Sequence, residues 1–164
     1  MAMSSASSNQ LNGMRDDTAL GQKIHAMNDP KYRLWPVGWV ESPLTDRAAA
    51  PKQGDEGAPP ARIVFQPEIR KAARGLREGD EVLVLTWLHQ GRRDTLSVHP
   101  RGDVSRPRSG VFATRSPDRP NPIGVHAVVI ETVEENTITV RNLEVIDGTP
   151  VLDIKPVLGR LNQR

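Results

Sequence analysis

Two short stretches concentrate the residues that could do chemistry. The first is GVFATRSPDRPNPIGVH, residues 110–126, which sets Arg115, Asp118 and Arg119 among Pro117, Pro120 and Pro122. Each proline holds the preceding residue away from helical angles and supplies no N–H. The loop is therefore stiff, and it can present carbonyls and side chains with little ordering cost on binding. A rigid barrel corner explains the same composition. The second stretch is EVIDGTPVLDIKP, residues 144–156. Its DGTP turn groups the Asp147 carboxylate, a free backbone N–H at Gly148 and the Thr149 hydroxyl. Asp147 suits a ribose hydroxyl; a hairpin turn with Asp147 as its own local acceptor is the plainer alternative.

Other chemistries find little support. The four histidines are His25, His89, His99 and His126, and none lies at close metal-ligand spacing. His89 and His99 end two neighbouring strands, so only that pair could approach a shared ion. There is no G-x-G-x-x-G after a strand, no Walker A sequence and no G-x-S-x-G elbow. Cysteine is absent, which removes disulfides and thiolate metal sites. The net charge of +2 is too small to announce nucleic-acid binding by itself. The basic residues cluster, however: Arg70, Lys71, Arg74 and Arg77 in one segment, and Arg92 through Arg119 in another. A local basic surface can hold an anion on a nearly neutral chain. Any one of these arginines is equally explained as ordinary solvated charge.

The elements that must position these residues are mostly strands. YRLWPVGWVES suggests a strand with Pro36 at an edge or bend. Residues 43–60 form a long Pro-, Gly- and Ala-rich connection of the kind that is functional or disordered. ARIVFQ reads as a short strand. PEIRKAARGL reads as a helix, with Pro67 and Glu68 in its first turn and Gly75 at its end. DEVLVLTWLHQ is the strongest strand, and its continuous Val82–Leu85 run implies burial on both faces or a barrel wall. DTLSVHP and GVFATR read as shorter strands. VHAVVIETV and TITVRNLEVI flank EEN as a hairpin with one wet face. Trp87 and Phe112 read as core, and Trp35 and Trp39 as core or dimer contact. Strands do not alternate with helices, so the fold class is mainly β: a small antiparallel β-barrel with one or two short helices.

The 164 residues, 37% hydrophobic and 26% charged, favour one soluble domain. We expect a flexible tail at 1–30 with a short helix near 18–27, a barrel domain at 31–159 and a C-terminal tail at 160–164. No window approaches the ~20 apolar residues of a membrane span, and no secretory signal is visible. These features fit a cytoplasmic protein.

GVFATRSPDRPNPIG together with DGTPVLDIKP closely resembles the TsaA-like family, also called YaeB or TrmO. The resemblance runs from about Trp35 to Val157. It implies a small non-Rossmann β-barrel that uses S-adenosylmethionine, held near a homodimer interface. The implied reaction methylates the exocyclic amine of a threonylcarbamoyl-modified adenosine beside the tRNA anticodon. The implied cofactor contacts fall at Pro51, Lys52 and Gln53, at His89 and Gln90, at Arg115 and Val125, and at Asp147, Gly148, Thr149 and Pro150. Arg101, Arg106, Arg108 and Arg119 are the candidates for RNA contact. No residue is an obvious base; His89 is the candidate by type, with a cofactor or structural hydrogen bond as its alternative role. No metal or membrane is expected. The sequence departs from the family pattern at Lys52, Val125 and Val157, and longer relatives continue into a C-terminal domain thought to grip tRNA. A barrel methyltransferase acting on another RNA or a small metabolite, or a non-catalytic cofactor- or RNA-binding module, also fits these residues.

Overall fold

The computed structural model describes residues 33–158. The expected tails at 1–30 and 160–164, and the expected helix near 18–27, lie outside the described residues. The fold below belongs to the unit Pro36–Arg164.

Eight strands follow in chain order: β1 Gly38–Glu41, β2 Ala61–Phe65, β3 Glu81–Trp87, β4 Ser97–Val98, β5 Ser109–Gly110, β6 Ile123–Val133, β7 Thr137–Arg141 and β8 Pro150–Pro156. Six of them close into an antiparallel barrel in the order β1-β2-β7-β6-β3-β8, and β4 and β5 form a separate two-stranded ribbon. The barrel and its few helical turns match the mainly β expectation. β8 closes the circle, pairing Val84 with Ile154 on one side and Gly38 with Val151 on the other.

Side-chain alternation decides what enters the barrel. On β3, Val82, Val84 and Thr86 point in, while Leu83, Leu85 and Trp87 remain partly exposed outside. The continuous apolar run is therefore a barrel wall. On β6, Gly124, His126, Val128 and Ile130 are buried, and Val125 and Ala127 face outward. Ile63, Val84, Ile138, Val140, Leu143 and Val151 are fully buried at the centre. Each such aliphatic side chain stabilises the fold by about 1.5–3 kcal/mol through burial. The expected hairpin is present: β6 and β7 pair Ile130 with Val140, and the turn closes with Glu134 N–H donating to Thr137 O at 2.8 Å.

Three expectations are corrected. GVFATR is not a strand: β5 ends at Gly110, and Val111–Ala113 form a 3-10 turn. Only Val111 of that turn is buried, and Phe112 is 85% exposed rather than core. The closely following prolines cannot donate to a ladder, so no strand extends there. PEIRKAARGL is a 3-10 run over Pro67–Ala73, and the chain turns away at Gly75 with φ of +99°. Trp87 is half-buried, and the Arg93 guanidinium covers its ring at 5.4 Å. Trp39 is exposed on β1. Among the described residues no helix is long and apolar enough to cross a membrane.

Ile138 meets the core from both sides of the β2–β7–β6 wall. Its truncation to Ala should destabilise the protein by about 2–5 kcal/mol, read as a lower midpoint in urea denaturation with an unchanged slope.

Candidate functional site

Three connections leave the same end of the barrel: 42–60 between β1 and β2, 88–122 between β3 and β6, and 142–149 between β7 and β8. Together they bound a cleft of about 1840 Å³. A small-molecule pocket typically occupies roughly 300–1,000 Å³, so the cleft has room for more than one nucleoside.

The proline-rich loop forms one wall and is sewn to its neighbours by side-chain donors. Arg93 Nε donates to Pro120 O at 3.0 Å, and Leu88 N–H donates to Pro122 O at 2.7 Å. Asp118 is the anchor. Its Oδ1 accepts from Arg92 N–H at 2.9 Å, and its Oδ2 pairs with Arg47 Nη2 at 2.9 Å. Arg47 also donates to Gln90 O at 3.1 Å, tying the first connection to the turn after β3. Partial burial alone would raise the Asp118 carboxyl. The Arg47 hydrogen bond, the Arg92 N–H and the two guanidinium charges outweigh it and hold the group below its ordinary range. Gly91 permits the close approach: a Cβ there would stand 2.4 Å from Pro117 O.

The opposite wall is similarly interlocked. A Cβ at Gly54 would stand 1.9 Å from Asn142 O, so the first connection lies directly on the third. The Lys52 ammonium donates to Arg101 O, and Arg101 Nη2 bonds Glu56 Oε1 at 2.5 Å. That bond is the main reason the Glu56 carboxyl lies below its ordinary range.

Of the residues singled out in the sequence, Pro51, Lys52, Gln53, His89, Gln90, Arg115, Val125 and Thr149 line the cleft, as do Arg101, Arg108 and Arg119. Arg115 is exposed and donates from Nη1 to Val125 O at 3.0 Å. His89 is exposed after β3, and His99 Nδ1 bonds Arg106 O at 2.7 Å. Asp147, Gly148, Pro150 and Arg106 are not among the lining residues. The Gly148 N–H is not free: it donates to Val40 O at 2.8 Å. Nor is the DGTP turn a hairpin, because it carries the chain across the barrel end from β7 to β8. The Asp147 carboxylate accepts from Ser42 N–H at 3.0 Å, and the Thr149 hydroxyl donates to Ile146 O at 2.6 Å. The turn thus clamps the first connection with the groups read as ligand contacts. Several arginines have structural partners too. Arg108 donates from Nε to Ser97 Oγ at 3.1 Å, Arg106 pairs with Asp103 at 3.3 Å, and Arg119 donates to Val111 O and, at 2.8 Å, to Thr114 O.

Residues 39–163 match the tRNA-methyltransferase O N-terminal domain. The chain belongs to this family. It is 44% identical over 131 residues, 79% of this chain and 93% of the relative, to a probable S-adenosyl-L-methionine-binding protein of Methanothermobacter thermautotrophicus. An S-adenosyl-L-methionine-binding protein of Archaeoglobus fulgidus is 39% identical across 79% of this chain and 94% of its own. A crystal structure of TrmO superimposes with a TM-score of 0.64 at 31% identity, covering 80% of this chain and 60% of that one. The Pseudomonas aeruginosa TrmO structure gives 0.63 at 29%, covering 80% and 58%. The chain thus spans about three-fifths of the solved TrmO chains.

In this family member the sequence reading missed one group on the cleft floor. Thr86, His126 and Glu144 form a connected chain: Thr86 Oγ1 to His126 Nε2 at 2.9 Å, and His126 Nδ1 to Glu144 Oε1 at 2.8 Å. The available signal was parity. His126 lies two residues from Gly124 and from Val128, so all three share the inward face of β6.

Two outcomes test this architecture. Gly91→Ala forces the proline loop off the β3 turn and should cost about 1–3 kcal/mol, measured by thermal melting. The Asp118 carboxyl titrates lower when folded than when unfolded, so its contribution is complete above the unfolded value and is lost as pH falls through the folded one. Asp118→Asn should therefore melt below the wild type at pH 7, with the gap closing below about pH 4.

Proposed function

We propose that the chain is an S-adenosylmethionine-dependent methyltransferase whose substrate is tRNA, modified on the exocyclic amine of a threonylcarbamoyl-adenosine beside the anticodon. Membership of the tRNA-methyltransferase O family supports the methyltransferase class and the cofactor. The observation that carries the reading is the cleft itself: large, basic, and built from the two proline-rich motifs and the first connection.

The lining fits the cofactor. Arg115 is an exposed guanidinium suited to the methionine carboxylate. Gln53 and Gln90 offer hydrogen bonds to the polar edges, and Leu88, Val125 and Ile146 offer apolar surface for a purine. The bound cofactor supplies an electrophilic methyl on a sulfonium with a good leaving group. The chain's task is to hold the amine in line with it and keep the wall still. Asp118 and Gly91 serve the second purpose through the proline loop. Arg101, Arg108 and Arg119 border the volume left for RNA, and Arg106 stands on the exposed arm beside them. Leu96, Val104 and Phe112 on that arm are exposed apolar residues, as a homodimer contact near the site would require. A cytoplasmic location follows from a tRNA substrate.

Arg115→Ala should weaken S-adenosylmethionine binding about ten- to hundredfold in calorimetric titration, with an unchanged melting temperature. Unchanged affinity would remove Arg115 from the site. For the substrate, the decisive measurement is methyl transfer to tRNA purified from a strain lacking this modification. Transfer only to tRNA carrying the threonylcarbamoyl group supports the reading. Transfer to tRNA without it would favour another nucleoside, and cofactor binding with no transfer would favour a binding module.

A further inference from the structure

Glu144 is the odd charge on the cleft floor. The walls are dominated by cations, Lys52, Arg101, Arg108, Arg115 and Arg119 among them. The other lining carboxylates are Asp118, which is engaged by Arg47, and Asp55, which is exposed on the first connection. Among the described residues Glu144 has no lysine or arginine partner, and its one ion-pair-distance neighbour is the His126 ring. A carboxylate oxygen only accepts, so His126 Nδ1 carries the proton of that 2.8 Å bond. The Thr86 hydroxyl then donates to Nε2 of the neutral ring at 2.9 Å.

The support is built into the barrel. Thr86 faces Gly124 across the β3–β6 ladder, and His126 is the next inward residue on β6. Thr86 and His126 are diagonal neighbours on one face. Thr86 is fully buried, and the His126 side chain is only 5% exposed. Gly124 leaves them room: a Cβ there would stand 2.4 Å from His126 Nε2 and 2.5 Å from Thr86 Oγ1. The ring is thus fixed at both nitrogens, and it fixes one oxygen of Glu144. The other oxygen has no protein donor among the described residues, on a side chain that is 20% exposed and lines the cleft.

We infer that Glu144 is the counter-charge for the sulfonium of bound S-adenosylmethionine, and that His126 and Thr86 are the positioning residues that hold its carboxylate toward the cleft. The inference rests on the cofactor reading above. A sulfonium has no N–H or O–H to donate, so it is stabilised by nearby negative charge and dipoles rather than by conventional hydrogen bonds. A cleft walled with guanidinium groups would repel it. An oriented carboxylate on the floor reverses that sign at one place and leaves the basic walls for anions. The ligand's amino-acid end carries its own carboxylate beside its ammonium, so the Arg115 wall can take it.

S-adenosylhomocysteine separates this role from all others, since it keeps the adenosine and amino-acid ends and has a neutral sulfur. The experiment is calorimetric titration of the full chain with each compound. Glu144→Gln keeps the shape and the acceptor for His126. It should lower S-adenosylmethionine affinity about ten- to hundredfold and leave S-adenosylhomocysteine within threefold. Thr86→Val, which frees the ring without touching ligand, should reduce the ratio of the two affinities in the same direction by a smaller factor. Equal losses for both compounds in Glu144→Gln would place Glu144 on the nucleoside or amino-acid end and overturn the inference. An unchanged ratio in Glu144→Gln would make the group structural and do the same. Should Glu144→Gln fail to fold, Glu144→Asp and Thr86→Val carry the test, and an unchanged ratio in both overturns it. Wild-type protein that binds neither compound would sink the cofactor reading itself, and the assignment with it.

Discussion

The structure depends on the closure of the barrel through β8. That strand pairs with β3 on one side and β1 on the other, so the six strands have no free edge within the wall. Closure fixes two things at once. It sets the inward parity of every strand, and it sends the three long connections out of one end. A closed six-stranded wall is too narrow inside for anything but side chains. Aliphatic residues fill its centre, and the first polar groups appear only where the floor meets the cleft, at Thr86 and His126. A register shift between Leu85 and Thr86 on the β3–β8 ladder falls at that boundary, the kind of bulge that re-aims side chains at a barrel rim.

The stiffness of the proline-rich wall has a second source besides the prolines. Proline takes donors away, so the loop's carbonyls would be left without partners. Arginines supply them. Arg93 serves Pro120, Arg119 serves Val111 and Thr114, and Arg115 serves Val125. The planar guanidinium, with five donors in a fixed fork, suits this task better than an ammonium. Much of the chain's clustered positive charge therefore holds the site in shape. The same residues face the cleft, so rigidity and attraction for anions are properties of one set of side chains.

A barrel-end site differs in kind from a site at the carboxyl ends of parallel strands. No helix N-terminus points into this cleft among the described residues. Recognition must come from loop side chains and exposed backbone, and their precision must come from bonds between loops. The contacts of Gly54 with Asn142, Gly91 with Pro117 and Asp147 with Ser42 are those bonds.

The mainly β class, the β6–β7 hairpin and the strength of β3 were legible in the sequence because alternation and turn residues are local signals. The two motifs were legible because their composition is unusual for a mere turn. What local reading could not supply was the use of each polar group. Asp147 and Gly148 looked like ligand contacts, but both are bonded to the β1 side of the barrel, more than a hundred residues away in sequence. Phe112 looked like core because apolar residues usually are, yet it stands on an exposed 3-10 turn. Thr86, His126 and Glu144 were unremarkable in three separate segments. Only the β3–β6 ladder and the return of the chain after β7 bring them within hydrogen-bonding distance. Sequence by itself determined which residues could form strands and stiff loops, because those preferences are set by each residue and its neighbours. Tertiary structure decided which charges are spent on holding the fold and which face the cleft, because hydrogen-bond partners distant in sequence meet only after the barrel closes.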